Sequence, residues 1–143
     1  MSDLVTSQHT GKVWTITLNR PEKRNAISWD VGQALHHELD AVARADGVRV
    51  VVLRGAGSMF SAGVDLGDVM MLPQRYGDNW LRQMRAITDD WQKLTTRIER
   101  LEIPTIAVLH GMAIGLGFEI ALACDMRIAT PDAKLGLPET RLG

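Results

Sequence analysis

Apolar positions along the chain change period several times, and each period predicts an element. Between Lys12 and Leu18 polar and apolar residues alternate, Val13 and Trp14 leading into Ile16 and Leu18, until Asn19-Arg20-Pro21 interrupts them. That pattern predicts a strand followed by a loop. Ser28 suits the N-cap of a helix that places Val31, Leu35, Leu39 and Val42 on one face and ends near Asp46-Gly47. Val48 to Leu53 is an apolar, β-branched run with Arg49 as its one charged position, closed by Gly55-Ala56-Gly57, the reading of a strand covered on both faces with a glycine-rich exit. Leu72 to Asp78 reads as a mobile connection. Trp80, Met84, Ile87, Trp91, Leu94, Ile98 and Leu101 then recur in steps of three and four. A coiled coil would share that spacing, but the flanking charges are irregular and the run covers only about three heptads, which favours a long core-facing helix. Pro104 stops it, Thr105 to Leu109 predicts a buried strand, and a Gly/Ala-rich helix follows from about Gly115 to Cys124. Strand, helix, strand, helix is an α/β order. No internal sequence repeat and no Pro/Ser-rich linker divides it, so residues 1–143 are expected to form one domain.

Composition narrows the classes. With 143 residues, 45% apolar and 23% charged, the chain can bury a core and lacks the profile of a disordered segment. The net charge of −1 comes with dispersed basic residues, so no broad footprint for nucleic acid or a membrane surface is expected, and any phosphate contact must be local. Met1 to Thr10 has neither the basic start nor the apolar run of a signal peptide, and no stretch approaches a membrane span; the expected compartment is the cytoplasm. The lone Cys124 has no internal disulfide partner and reads as a buried structural thiol. His9, His36, His37 and His110 share no metal-ligand spacing, and the adjacent His36 and His37 would diverge on a helix. No metal site is expected.

Candidate chemistry collects at the glycine-rich exits of strands. Phe60-Ser61-Ala62-Gly63-Val64-Asp65-Leu66 follows the second buried strand, where α/β folds commonly place sites and where small residues let backbone approach a ligand. An ordinary tight turn fits the segment equally well. Gly111 to Glu119 leads from a strand into the Gly/Ala-rich helix, and the free N–H groups and aligned dipoles of such a helix start favour an oxyanion. A dinucleotide-binding turn is a weak rival, because Ile120 stands where a third small residue is needed; a P-loop is excluded, because no Gly-Lys-Ser/Thr follows. Glu119, one helical turn after Leu116, either offsets the helix dipole or shares a pocket with that N–H. Its apolar flanks favour a use for the charge. Glu139, after Pro138 in the strand-like run Lys134-Leu135-Gly136-Leu137, would by itself be a solvated loop residue.

Taken together and in order, Leu18-Asn19-Arg20-Pro21-Glu22-Lys23-Arg24-Asn25-Ala26, Phe60 to Leu66, Gly111 to Asp125 with Arg127-Ile128-Ala129, and Leu137-Pro138-Glu139 resemble the crotonase, or enoyl-CoA hydratase/isomerase, family over nearly the whole chain. The resemblance implies an α/β fold, a crotonase-type spiral of β-β-α units lacking the C-terminal helical region, and so one crotonase-like domain over residues 1–143 that stops short of the family's full length. It implies an acyl-CoA thioester substrate, coenzyme A entering as part of the substrate rather than as a cofactor, and a homo-trimer or hexamer for full-length relatives. The family's oxyanion-hole amides fall on the backbone N–H groups of Val64 and Leu116, each such donor being typically worth roughly 3 kcal/mol. Leu116 replaces a glycine common there, which bears on pocket shape rather than on a backbone contact. The family's hydratase carboxylates fall on Glu119 and Glu139. Substrate or CoA contacts fall on Lys23, Arg24, Ala26, Ala62, Gly63, Asp65, Leu66 and Gly115, with Arg20, Lys23 and Arg24 in the loop that relatives run near the CoA nucleotide.

These assignments imply an enoyl-CoA hydratase, a lyase of fatty acid metabolism, adding water across a 2,3-double bond. An enoyl- or dienoyl-CoA isomerase of the same family is the nearest alternative; a dienoyl isomerase would usually carry Asp at position 119 and a second Asp soon after Glu139, past Gly143. Two further alternatives are a non-catalytic acyl-CoA-binding remnant and an interaction module built on the Trp80 to Leu101 helix.

Overall fold

The computed structural model describes residues 4–142. Residues 1–3 and Gly143, on which the reading of an absent signal peptide and the ends of the expected 1–143 domain partly rest, lie outside that range. Strand β1 (Val5–Thr10) and strand β2 (Val13–Leu18) form an antiparallel hairpin with Thr10 opposite Val13. Gly11 takes φ 60° at the first loop position, the residue a type II′ turn needs there. Helix α1 (Trp29–Arg44) is capped as expected: Ser28 Oγ accepts from the Val31 N–H at 3.2 Å, and Val31, Leu35, Leu39 and Val42 are buried. It stops before Asp46-Gly47 because Ala45 is already extended.

Strand β3 (Val50–Gly55) starts two residues later than the apolar run. Only one of its faces is fully covered: Val51, Leu53 and Gly55 are buried, Val50 and Val52 half-buried and Arg54 exposed. The connection read as mobile is helical. Asp65 caps α2 (Leu66–Met70) through the Gly67 N–H, and α3 (Leu72–Tyr76) is anchored by buried Leu72 with proline in its first turn. A 3₁₀ turn then leads into α4 (Trp80–Glu99), where only Leu94 and Ile98 are fully buried, so the core-facing reading holds for its C-terminal half. Strand β4 (Thr105–Leu109), strand β5 (Met112–Ile114), helix α5 (Leu116–Ala123), strand β6 (Met126–Ala129), strand β7 (Lys134–Gly136) and a short helix α6 (Glu139–Leu142) complete the described chain. Glu139 therefore opens a helix rather than sitting in a loop.

The main sheet has the order β1-β2-β3-β4-β6, parallel from β2 onward. A second, narrower ladder runs beside it, Ile27 pairing with Val64, Ser61 with Ala113, and β5 with β7, all in parallel. Each turn of the chain thus contributes a long strand, a short extended segment and a helix, and successive turns stack. The repeat is structural with no sequence repeat beneath it, because each turn has only to satisfy its neighbours' backbone groups and fill one slice of core. Asp125 fastens two turns, its Oδ2 accepting from Thr105 N at 2.7 Å and Thr105 Oγ at 2.8 Å; these bonds hold its carboxyl below the usual carboxylate range.

Ile16, Leu35, Leu53, Leu94, Leu109 and Ile120 belong to one continuous core. Cys124 is buried there, and burial pushes its thiol up to about 11, as a structural thiol requires. His36 and His37 do diverge, their side chains being 14% and 71% exposed. Among the described residues no His/Cys/Asp/Glu group of three or more is arranged to hold a metal, and no helix is long and apolar enough to cross a membrane.

Candidate active site

Stacked turns bring equivalent positions together. Ser61 pairs with Ala113, so Val64 and Leu116, each three residues further on, come side by side where their turns enter α2 and α5. Ser61 N donates to Met112 O at 3.0 Å and Ile114 N to Ser61 O at 3.0 Å, which fixes this register. A Cβ built on Gly63 would lie 3.5 Å from Leu116 N; the two segments touch.

Peptide planarity settles which way the two N–H groups point. In a trans peptide the C=O and the following N–H are opposed. Gly63 O accepts from Ile27 N at 2.7 Å, so Val64 N–H points away from Ile27. Gly115 O accepts from Glu119 N at 2.9 Å, so Leu116 N–H points out of the start of α5, where helix N–H groups have no intrahelical acceptor. Neither donates to another group among the described residues. A glycine with positive φ precedes each donor, Gly63 at 88° and Gly115 at 53°. Substitution at Gly63 would drive a Cβ to 2.6 Å from Ile114 O, and at Gly115 into the Glu139 carboxylate.

That second contact places a Glu139 carboxylate oxygen against Gly115, the residue before the Leu116 N–H. Glu119 stands on the first turn of α5. Burial first, then the charge of Glu139, raises the Glu119 pKa above its ordinary 4.5. Two carboxylates from consecutive turns, both exposed, therefore feel one another's charge.

The remaining candidates divide. Gly63 and Gly115 are buried between the segments and Ala26 and Ala62 half-buried near them, while Lys23, Arg24 and Leu66 are exposed. Arg24 joins the site through its backbone, its O accepting from Ala62 N at 3.0 Å. Both carboxylate oxygens of Asp65 are engaged: Arg20 NH1 lies 2.6 Å from Oδ2, and Gly67 N donates to Oδ1 at 3.0 Å. Burial works against its ionisation, but the Arg20 hydrogen bond and charge, with N–H groups of α2, hold its carboxyl below the usual range. Beside Asp65 and Ile27 opens a mostly apolar cavity of about 200 Å³, lined by Val69, Leu72, Ile87 and Trp91 with Asp68 and Arg75 among its polar residues. Sequence reasoning passed over Asn25, which is 1% exposed and has φ 51°. The available signal was residue type, since Asn is enriched among residues with positive φ.

A spiral of stacked strand-and-helix turns, with two unspent N–H groups side by side and a glutamate in the first turn of each of the two following helices, is a crotonase-type α/β architecture. The sequence model of the family described as enoyl-CoA hydratase/isomerase matches residues 8–143, and the chain belongs to that family. It is 38% identical over 132 residues to the mitochondrial Delta(3,5)-Delta(2,4)-dienoyl-CoA isomerase of Mus musculus, covering 90% of this chain and 40% of that protein. It is 35% identical over 144 residues to the 2,3-dehydroadipyl-CoA hydratase of Escherichia coli (strain K12), covering 100% of this chain and 52% of that protein. A crystal structure of an enoyl-CoA hydratase/isomerase from Marinobacter aquaeolei superimposes with a TM-score of 0.91 at 30% identity, over 99% of this chain and 54% of that one. The chain spans about half the length of the curated relatives it matches.

Proposed function

We propose that this chain binds 2-enoyl-CoA thioesters and adds water across the 2,3-double bond. The observation that carries the reading is the Glu139 carboxylate lying against Gly115, the residue before the Leu116 N–H, with Glu119 on the first turn of α5 near enough for the charge of Glu139 to raise its pKa. In this reading the thioester oxygen accepts from Val64 N–H and Leu116 N–H. As oxygen adds at C3, charge moves onto the thioester oxygen, where each preorganised donor contributes roughly 3 kcal/mol. One carboxylate takes a proton from the water, the hydroxyl bonds to C3, and the pair delivers a proton to C2, so its proton count is restored each turnover. A raised pKa on Glu119 helps the pair hold that proton nearer neutrality. The apolar cavity beside Asp65 suits the acyl chain, whose burial there would be driven by the hydrophobic effect.

A second reading, isomerisation, is favoured by the relative named as a dienoyl-CoA isomerase; it uses the same donors, with the carboxylates moving a proton along the acyl chain. Incubation in H₂¹⁸O with crotonyl-CoA and a 3,5-dienoyl-CoA separates the two. Hydration places one ¹⁸O at C3 with loss of conjugated absorbance; isomerisation moves double bonds without taking up label. Neither reaction, together with no binding of either thioester, would overturn both readings.

A further inference from the structure

Among the described residues only Arg24 and Asn25 are non-glycine residues with positive φ, at 55° and 51°. A strained turn needs a reason to persist, and here the turn directs the Asn25 side chain into the 56–65 segment. We infer that Asn25 is a positioning residue that aims the Val64 N–H, the 20–27 turn serving as its template. The inference rests on the reading of Val64 as an oxyanion donor.

The bonds trace a closed path. Asn25 Nδ2 donates to Ala56 O at 2.8 Å and to Met59 O at 2.9 Å, while its Oδ1 accepts from Arg20 N at 2.9 Å. Only an amide nitrogen can serve two carbonyls this way, which fixes the amide's orientation. The Asn25 carbonyl accepts from Ser61 Oγ at 2.8 Å, and Ser61 Oγ accepts from Gly63 N at 3.1 Å. Two residues on, Ile27 N donates to Gly63 O at 2.7 Å and Ile27 O accepts from Asp65 N at 3.0 Å. The peptide that presents Val64 N–H is thus held before and after by residues 25 and 27. Arg20 NH1 closes the outer edge, donating to Ala26 O at 3.3 Å and pairing with Asp65. Removing the Asn25 amide would take away the side-chain donor to two half-buried carbonyls and free the segment to shift. In a site of this kind, displacements of an ångström matter.

Asn25→Ala and Asn25→Gly test this, the glycine variant removing the amide without strain at positive φ. The probe is 2,4-hexadienoyl-CoA, whose absorption shifts to the red when its thioester oxygen is polarised. Both variants are expected to bind it within about threefold of wild type, to lose at least half of the red shift, and to hydrate crotonyl-CoA about tenfold or more slowly with KM little changed. A full red shift and unchanged kcat in the folded glycine variant would overturn the inference. If the wild-type chain gives neither red shift nor turnover, the functional reading fails, and Asn25 is judged by amide exchange instead. Exchange in the 59–66 segment roughly tenfold faster in Asn25→Gly, with β2, β3 and β4 unaltered, supports a positioning role. Unchanged exchange, or equal acceleration throughout the sheet, refutes it.

Discussion

Replacing Gly63 with alanine should damage the site through two separable effects. Gly63 has φ 88°, a conformation that costs an L-residue roughly 1–2 kcal/mol. The new Cβ would also lie 2.6 Å from Ile114 O, whereas a carbon and a carbonyl oxygen rest at about 3.3 Å or more. Because the obstacle is backbone, relief requires the 61–64 and 114–116 segments to separate by roughly 0.7 Å. The total cost is about 2–4 kcal/mol, or a fall in Tm of roughly 5–15 °C for a chain of this size. That separation pulls Val64 N–H away from Leu116 N–H, and losing one aligned donor should lower kcat about 10²- to 10³-fold. Gly47→Ala is the control, since Gly47 has φ 80° but nothing within 4 Å of the added Cβ. Thermal unfolding and crotonyl-CoA hydration measured on both variants isolate the clash. The reasoning fails if Gly63→Ala is no less stable than Gly47→Ala and keeps its rate within about threefold.

Glu119 has a raised folded-state pKa, so it favours folding below its unfolded value of 4.5 and loses that contribution as pH rises through the folded value. Glu119→Gln should therefore have a higher Tm than wild type at pH 7–8, an advantage that shrinks toward pH 4; a Tm difference that does not vary with pH would contradict this. Cys124, buried with its thiol pushed up to about 11, should react with an aromatic disulfide at pH 8 about a hundredfold more slowly in the native chain than in urea. Leu35 is 1% exposed in the core, and Leu35→Ala should cost about 2–5 kcal/mol, measured as a lower urea midpoint at constant m.

Legibility in the sequence followed how local each cause was. Helix α1 was readable from Ser28 and the face of Val31, Leu35, Leu39 and Val42, because cap and stripe lie within one segment. Strand β1 was missed: only Val5 in Val5–Thr10 is buried, so no alternation marks it, and it is held by pairing with β2 across Gly11. Leu72 to Asp78 reads as mobile although α3 lies there, because that helix is ordered by the burial of Leu72 and a proline in its first turn rather than by a period; α2 just before it is likewise ordered by the Asp65 cap. The two-sided covering expected for β3 failed because an apolar run reports what could be buried, not what covers it. Within the candidate site, the family resemblance pointed to Val64, Leu116, Glu119 and Glu139, but only the stacking of turns explains why Val64 lies beside Leu116 and Glu139 against Gly115. Asn25 stayed hidden for the same reason, since its partners Ala56, Met59 and Ser61 belong to the next turn.

The central claim is that the two carboxylates and two N–H donors form one working site. The most direct measurement follows crotonyl-CoA hydration by the 143-residue chain, alongside Glu119→Gln and Glu139→Gln, as loss of conjugated thioester absorbance. The account predicts turnover by the wild-type chain and its collapse in both variants, with thioester binding retained. Normal turnover in either variant would contradict it.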